Sequence, residues 1–136
     1  MRVESLLSKL LIVLLGAFGL MRGSEMVIRG ESSMQNAAKL YIKLSEYVDI
    51  QSIGWLLLMS SVLLVLAAFT ENKTSFLLLA IGGLSTGTVH IFYGLVAVEG
   101  AKVVATYYTT LTLGIYEYIL CAVGVMGLWK LNKSKE

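Results

Sequence analysis

Two side chains that titrate lie deep within apolar runs of the sequence, and their chemistry is the natural starting point. Glu117 lies within TTLTLGIYEYILCAVGVMGLW, and His90, the one histidine of the chain, lies within SFLLLAIGGLSTGTVHIFYGLVAV. A carboxylate in the middle of a membrane costs about 2.5 kcal/mol or more, so we expect Glu117 to face other helices, to have a partner, or to be protonated. A histidine and a buried glutamate can both be poised to titrate near neutral pH, which makes proton or cation handling one candidate chemistry.

Small residues accompany both groups at helical spacing. Residues three and four apart share one helix face, and two such stripes are present: Gly83, Gly87, His90 and Gly94, and Gly114, Glu117, Cys121, Gly124 and Leu128. Faces without large side chains let two helices pack closely. In antiparallel neighbours, His90 and Glu117 lie about 12 and about 15 Å from the same end, which is within one helical turn. The spacing therefore predicts a hydrogen bond or an ion pair between the two side chains.

The pair is expected to belong to a small polar network inside the membrane. Its candidate members are Glu117, His90, Tyr93, Tyr116 and Thr86, with Tyr118, Thr88 and Thr112 as further hydroxyl groups. Three roles are open: a contact that fixes helix register, proton or cation handling, and metal binding by several copies of the chain. We expect the first role and no metal site, because the available ligands are few. Close helix packing is expected at Gly83, Gly87, Gly94, Gly114, Gly124, Gly16 and Gly19.

The composition of the 136-residue chain is that of a membrane protein. Hydrophobic residues make up 57% and charged residues 15% of the chain, and there is no proline. The net charge of +2 is too small to indicate nucleic-acid binding. The single cysteine, Cys121, excludes an intramolecular disulfide and a Cys-x-x-Cys site. No catalytic triad, phosphate loop or nucleotide fingerprint is recognisable, so we expect neither enzymatic activity nor a cofactor.

These observations predict an all-α fold, an integral membrane four-helix bundle that forms one domain over residues 1–136. The predicted spans are residues 6–21, 50–69, 75–98 and 103–128. A signal peptide is the alternative for the first span. Residues 22–49 form a polar connection, within which apolar residues recur every three or four positions over residues 33–48. That periodicity predicts an amphipathic helix on the membrane surface, which serves as a connector or binds a partner or lipid.

Aromatic and basic residues indicate the orientation of the chain. Tyr107 and Trp129 lie near opposite ends of the last span, about 32 Å apart, which is the spacing of two interfacial aromatic belts. The densest basic cluster beside a span follows Trp129 and consists of Lys130, Lys133 and Lys135. Because basic residues favour the cytoplasmic side, both termini are expected in the cytoplasm of a protein of the cell membrane.

Four spans, small size and one membrane-embedded glutamate resemble the small multidrug transporters. In that family the glutamate lies in the first span, whereas Glu117 lies in the last, so no residue role is transferred. We expect a non-enzymatic accessory, immunity or assembly component that acts through helix and surface contacts. Its expected partners are the lipid bilayer and either a second copy or another membrane protein, with no nucleic acid. The second hypothesis is a small proton-linked transporter or oligomeric channel that uses Glu117 and His90.

Overall fold

The computed structural model describes residues 3–29, 45–100 and 104–134, and it contains four helices and no strand within these ranges. The helices are α1 (Val3–Arg29), α2 (Ile50–Phe69), α3 (Asn72–Gly100) and α4 (Val104–Lys133). All four are long and apolar enough to cross a membrane. The predicted all-α class and the four candidate spans are therefore confirmed, and they indicate a multi-pass membrane protein.

The ends of the helices differ from the predicted spans in an informative way. The second span, predicted at residues 50–69, has the bounds of α2, but α1 runs on for two further turns beyond the predicted end at Met21. Hydropathy marks the edge of the membrane, whereas a helix continues until its backbone hydrogen bonds are interrupted. Residues 22–29 are therefore helix rather than polar connection. Most of the amphipathic helix predicted over residues 33–48 lies outside the described residues.

The turn between α2 and α3 explains why these helices form a tight antiparallel hairpin. At the end of α2, the Thr70 backbone N–H donates to the Leu66 carbonyl, 3.1 Å away. Asn72 then adopts a left-handed backbone conformation with φ of 55°, which asparagine tolerates better than most residues. The Ser75 hydroxyl donates to the Ala67 carbonyl across the turn at 2.8 Å. These bonds hold the two helices side by side.

The helices pack in chain order, and the bundle is open on one side. α2 and α3 occupy the middle, α1 packs on α2, and α4 packs on α3, while α1 and α4 barely touch. Two apolar clusters fill the interior. The cluster nearer the C-terminal end of α1 contains Met26, Ile53, Leu57, Val89 and Tyr93, and the other contains Leu15, Leu64, Ala67, Leu79 and Leu120. This arrangement leaves one face each of α1 and α4 to the surroundings.

Candidate functional site: a buried acid–imidazole pair

The structure brings His90 and Glu117 together in the seam between α3 and α4. Nδ1 of His90 lies 2.6 Å from Oε2 of Glu117, and neither side chain has any exposed surface. Among the described residues, the other polar atoms of the pair, Nε2 of His90 and Oε1 of Glu117, have no hydrogen-bond partner. The site is therefore a fully buried contact between helices, with one polar atom of each side chain lacking a protein partner.

Glycine makes this close approach possible. A Cβ atom placed on Gly83 would lie 2.6 Å from the carbonyl oxygen of Glu117 and 2.8 Å from the backbone nitrogen of Cys121. On the opposite helix, a Cβ on Gly114 would lie 2.8 Å from the Ile91 side chain. The backbones of α3 and α4 are thus in contact on both sides of the pair. Such contact leaves no space for a larger side chain at these positions.

The other predicted packing glycines also face neighbouring helices of the same chain. Gly87 faces Tyr118 and Gly114, Gly94 faces Leu111, Gly124 faces Phe76 and Ala80, Gly16 faces Val65, and Gly19 faces Ser61. Each of these positions has an atom within about 3.1 Å of where a Cβ would stand. The small-residue stripes therefore build the bundle itself and are already occupied.

Two of the predicted network members lie next to the pair, one turn away on α3. Thr86 is fully buried, and its hydroxyl donates to the Gly82 carbonyl at 2.8 Å. Tyr93 is 5% exposed and lies on the other side of His90. The hydroxyl of Thr86 is thus satisfied by its own helix, as are those of Ser60 and Ser61 on α2.

The structure does not bring Tyr116 to the pair. Tyr116 is 48% exposed and lies on the side of α4 that faces α1. Tyr118 lies on the outer side of α4, where its hydroxyl is 3.0 Å from the hydroxyl of Thr88. One helical turn is 3.6 residues, so residues one position to either side of Glu117 diverge by about 100° from it. Tyr116 therefore points away from the seam, whereas Tyr118 lies at its edge, with its ring against Gly87.

Sequence reasoning missed Arg22, which joins three helices above the pair. Its Nη1 donates to Oγ1 of Thr110 on α4 at 2.9 Å, and its guanidinium carbon lies 4.6 Å from the centre of the Tyr93 ring on α3. The sequence places Arg22 in the polar connection, because it follows the apolar run. A usable signal was its spacing from Leu11, Leu15 and Phe18, which places all four on one face of a helix.

A groove of about 480 Å³ runs between the two helices that barely touch, α1 and α4. We call it the α1–α4 groove. Its lining is almost wholly apolar on the α1 side and carries hydroxyl groups on the α4 side. The residues that line it are Leu11, Leu14, Leu15, Phe18, Tyr108, Thr109, Thr112, Leu113 and Tyr116.

No group of three metal-ligating side chains occurs within residues 3–29, 45–100 and 104–134. Cys121 is a free thiol, partly buried next to Gly83. Comparison of the chain with protein-family models, curated proteins and solved structures finds no match. Functional assignment therefore depends on the geometry of the chain alone.

Proposed function

We propose that the protein is a non-enzymatic, multi-pass component of the cell membrane, an accessory, immunity or assembly protein that acts through helix and surface contacts. The observation that carries the proposal is the complete burial of His90 and Glu117 between α3 and α4. A side chain that handles protons or ions during turnover must be reached by water or by the ion, and this pair is reached by neither. Its role is to fix the register of α3 on α4.

In this proposal, the protein contacts its partner through the outer face of α1. Only 17% of the most apolar stretch of α1 is buried, compared with 44% for α2, so most of this helix is available to lipid or to another helix. Its most exposed large side chains are Val3, Met21 and Ile28, each more than 70% exposed. The partner is a second copy or another membrane protein. In this proposal both termini lie in the cytoplasm, on the side of the basic C-terminal tail.

The second candidate is a proton-linked transporter or an oligomeric channel. It is favoured by the two unsatisfied atoms, Nε2 of His90 and Oε1 of Glu117, since a fully buried polar atom without a partner is costly and is found preferentially at functional sites. A rearrangement that separates α3 from α4 would expose both atoms.

Proton and cation flux into liposomes distinguishes the two functions. Wild-type protein, Glu117→Gln and the control Glu71→Gln, which alters an exposed carboxylate in the α2–α3 turn, are reconstituted at equal density. The proposal expects all three to match protein-free liposomes. Flux that is present in the wild type, retained in Glu71→Gln and abolished in Glu117→Gln would overturn the contact proposal and establish the second candidate.

A further inference from the structure

We propose that the α1–α4 groove binds one acyl chain of an anionic phospholipid and that Arg22 binds the phosphate of its headgroup. The inference does not depend on the proposed function, because neither His90 nor Glu117 lines the groove. It follows from the apolar lining of the groove, its volume, and the position of Arg22, which lies one turn of α1 beyond the lining residue Phe18.

One face of α1 supplies both parts of the site. Leu11, Leu15, Phe18 and Arg22 are spaced by four, three and four residues, so they form a single line along the helix. The eleven steps along the helix from Leu11 to Arg22 rise about 16 Å at ~1.5 Å per residue. One leaflet contributes about half of a hydrocarbon core of ~30 Å. The line therefore matches the depth of one leaflet, with apolar side chains inside and a cation near the surface.

The charge of Arg22 is available to an anion. Its contacts within the described residues are with the Thr110 hydroxyl and the Tyr93 ring, and neither of these groups is a carboxylate. A guanidinium group has five N–H donors in a planar fork that fits two oxygen atoms of a phosphate. A cation near hydrocarbon is costly without a counter-charge. A phosphate at the membrane surface supplies that charge.

The volume of the groove suits a small molecule. The volume of about 480 Å³ lies within the usual range for bound small molecules. Leucine and phenylalanine side chains line the α1 wall, which suits a flexible hydrocarbon chain. An acyl chain is thus the occupant that agrees with both the size and the chemistry.

Native mass spectrometry of the full chain in detergent tests the site by titration with phosphatidylglycerol and with phosphatidylcholine of the same acyl chains. We expect one phosphatidylglycerol per chain, bound about ten-fold more tightly than phosphatidylcholine, as for a charge-assisted hydrogen bond. Arg22→Gln abolishes this preference, and Arg22→Lys, which keeps the charge, retains part of it. Lys9→Gln, the matched loss of an exposed α1 cation, leaves it unchanged. Circular dichroism confirms that each variant is folded.

A second pair of variants tests the groove separately from the charge. Thr112→Trp fills the groove, so the acyl chain loses part of its buried apolar contacts. Binding of both lipids is therefore expected to weaken about ten-fold. Ile115→Trp, on an exposed face of α4 outside the groove lining, leaves binding unchanged. The proposal is overturned by equal binding of both lipids, by a preference that survives Arg22→Gln, or by no effect of Thr112→Trp. Displacement by glycerol 3-phosphate alone, or a lipid-free dimer that Thr112→Trp dissociates, would also overturn it.

Discussion

Nδ1 of His90 and Oε2 of Glu117 lie 2.6 Å apart although 27 residues separate them in the chain. In the role proposed above, the contact fixes α3 and α4 in one register, because a slip by one turn would move the two groups ~5.4 Å apart and leave both unpaired in the membrane interior. A buried polar pair of this kind specifies one arrangement among several that glycine-rich faces would otherwise allow.

The first prediction concerns the energetic coupling of this pair. His90→Leu and Glu117→Leu each leave one buried polar group without its partner, and each is expected to lower the free energy of unfolding by about 3–5 kcal/mol. The double variant removes both groups and is expected to be more stable than either single variant. Reversible unfolding in mixed micelles measures all four proteins of the cycle.

Thr86→Val is the control for the cycle, because the Thr86 hydroxyl is bonded to its own helix and does not bridge α3 and α4. We expect a loss of about 1 kcal/mol or less for this variant. Additive effects of the two leucine substitutions would contradict the pairing.

The second prediction compares two glycines of the α3–α4 seam. A Cβ on Gly83 meets backbone atoms of α4 at 2.6 and 2.8 Å, whereas a Cβ on Gly87 meets the Tyr118 ring at 3.1 Å and the Gly114 carbonyl at 3.2 Å. Because a side chain yields more easily than a backbone, Gly83→Ala is expected to lower the melting temperature more than Gly87→Ala does. Gly87→Leu still overpacks the contact, by about 1–3 kcal/mol.

Ala122→Leu is the matched control, since Ala122 is exposed on the outer face of α4. We expect its thermostability in detergent to equal that of the wild type. If Gly87→Leu were equally neutral, the face that carries Gly87 would lie toward lipid. The assignment of Gly87 to the α3–α4 seam would then be wrong.

The pairing of His90 with Glu117 was predictable because it depends on quantities that a sequence carries. Helical periodicity gives the face on which each residue lies, and the distance from the end of an apolar run gives its depth. The position of Arg22 depends instead on how α1 lies relative to α3 and α4, which are distant in sequence. No local pattern encodes that relationship. Tyr116 was misplaced for a related reason, because its hydroxyl is near Glu117 in sequence but on another face of the helix.

The third prediction concerns pH and the start of α2. Hydrogen bonds from the Ser52 hydroxyl and then from the Ser52 backbone N–H hold the pKa of Asp49 below its ordinary value. A carboxyl group whose pKa is lowered by folding stabilises the fold above its unfolded pKa of ~3.9, and that contribution is lost as the pH falls through the lower, folded value. Hydrogen exchange should therefore show the Ser52 amide losing protection below about pH 4.

Asp49→Asn provides the control for this effect. Its side-chain carbonyl still accepts a hydrogen bond from the Ser52 amide but does not titrate. Protection of Ser52, corrected for the intrinsic exchange rate, should then be independent of pH between about 5 and 3, a range that spans the unfolded aspartate pKa. A loss of protection in Asp49→Asn equal to that of the wild type would exclude Asp49 as the cause.

The fourth prediction concerns the attachment of α1. A Cβ on Gly23 would lie 2.8 Å from the backbone nitrogen of Leu58 and 3.0 Å from the Gly54 carbonyl, so α1 and α2 touch through their backbones. Gly23→Leu is expected to separate α1 from α2 and to leave the α2–α4 unit intact, because α1 makes few contacts with α4. The reporter for this separation is Ser61→Cys in a Cys121→Ser background. Ser61 is fully buried and lies against Gly19, so the new cysteine should react with maleimide several-fold faster when α1 separates. Thr86→Cys, buried on α3, should stay protected in the same protein; equal acceleration at both positions would mean that the whole bundle had loosened.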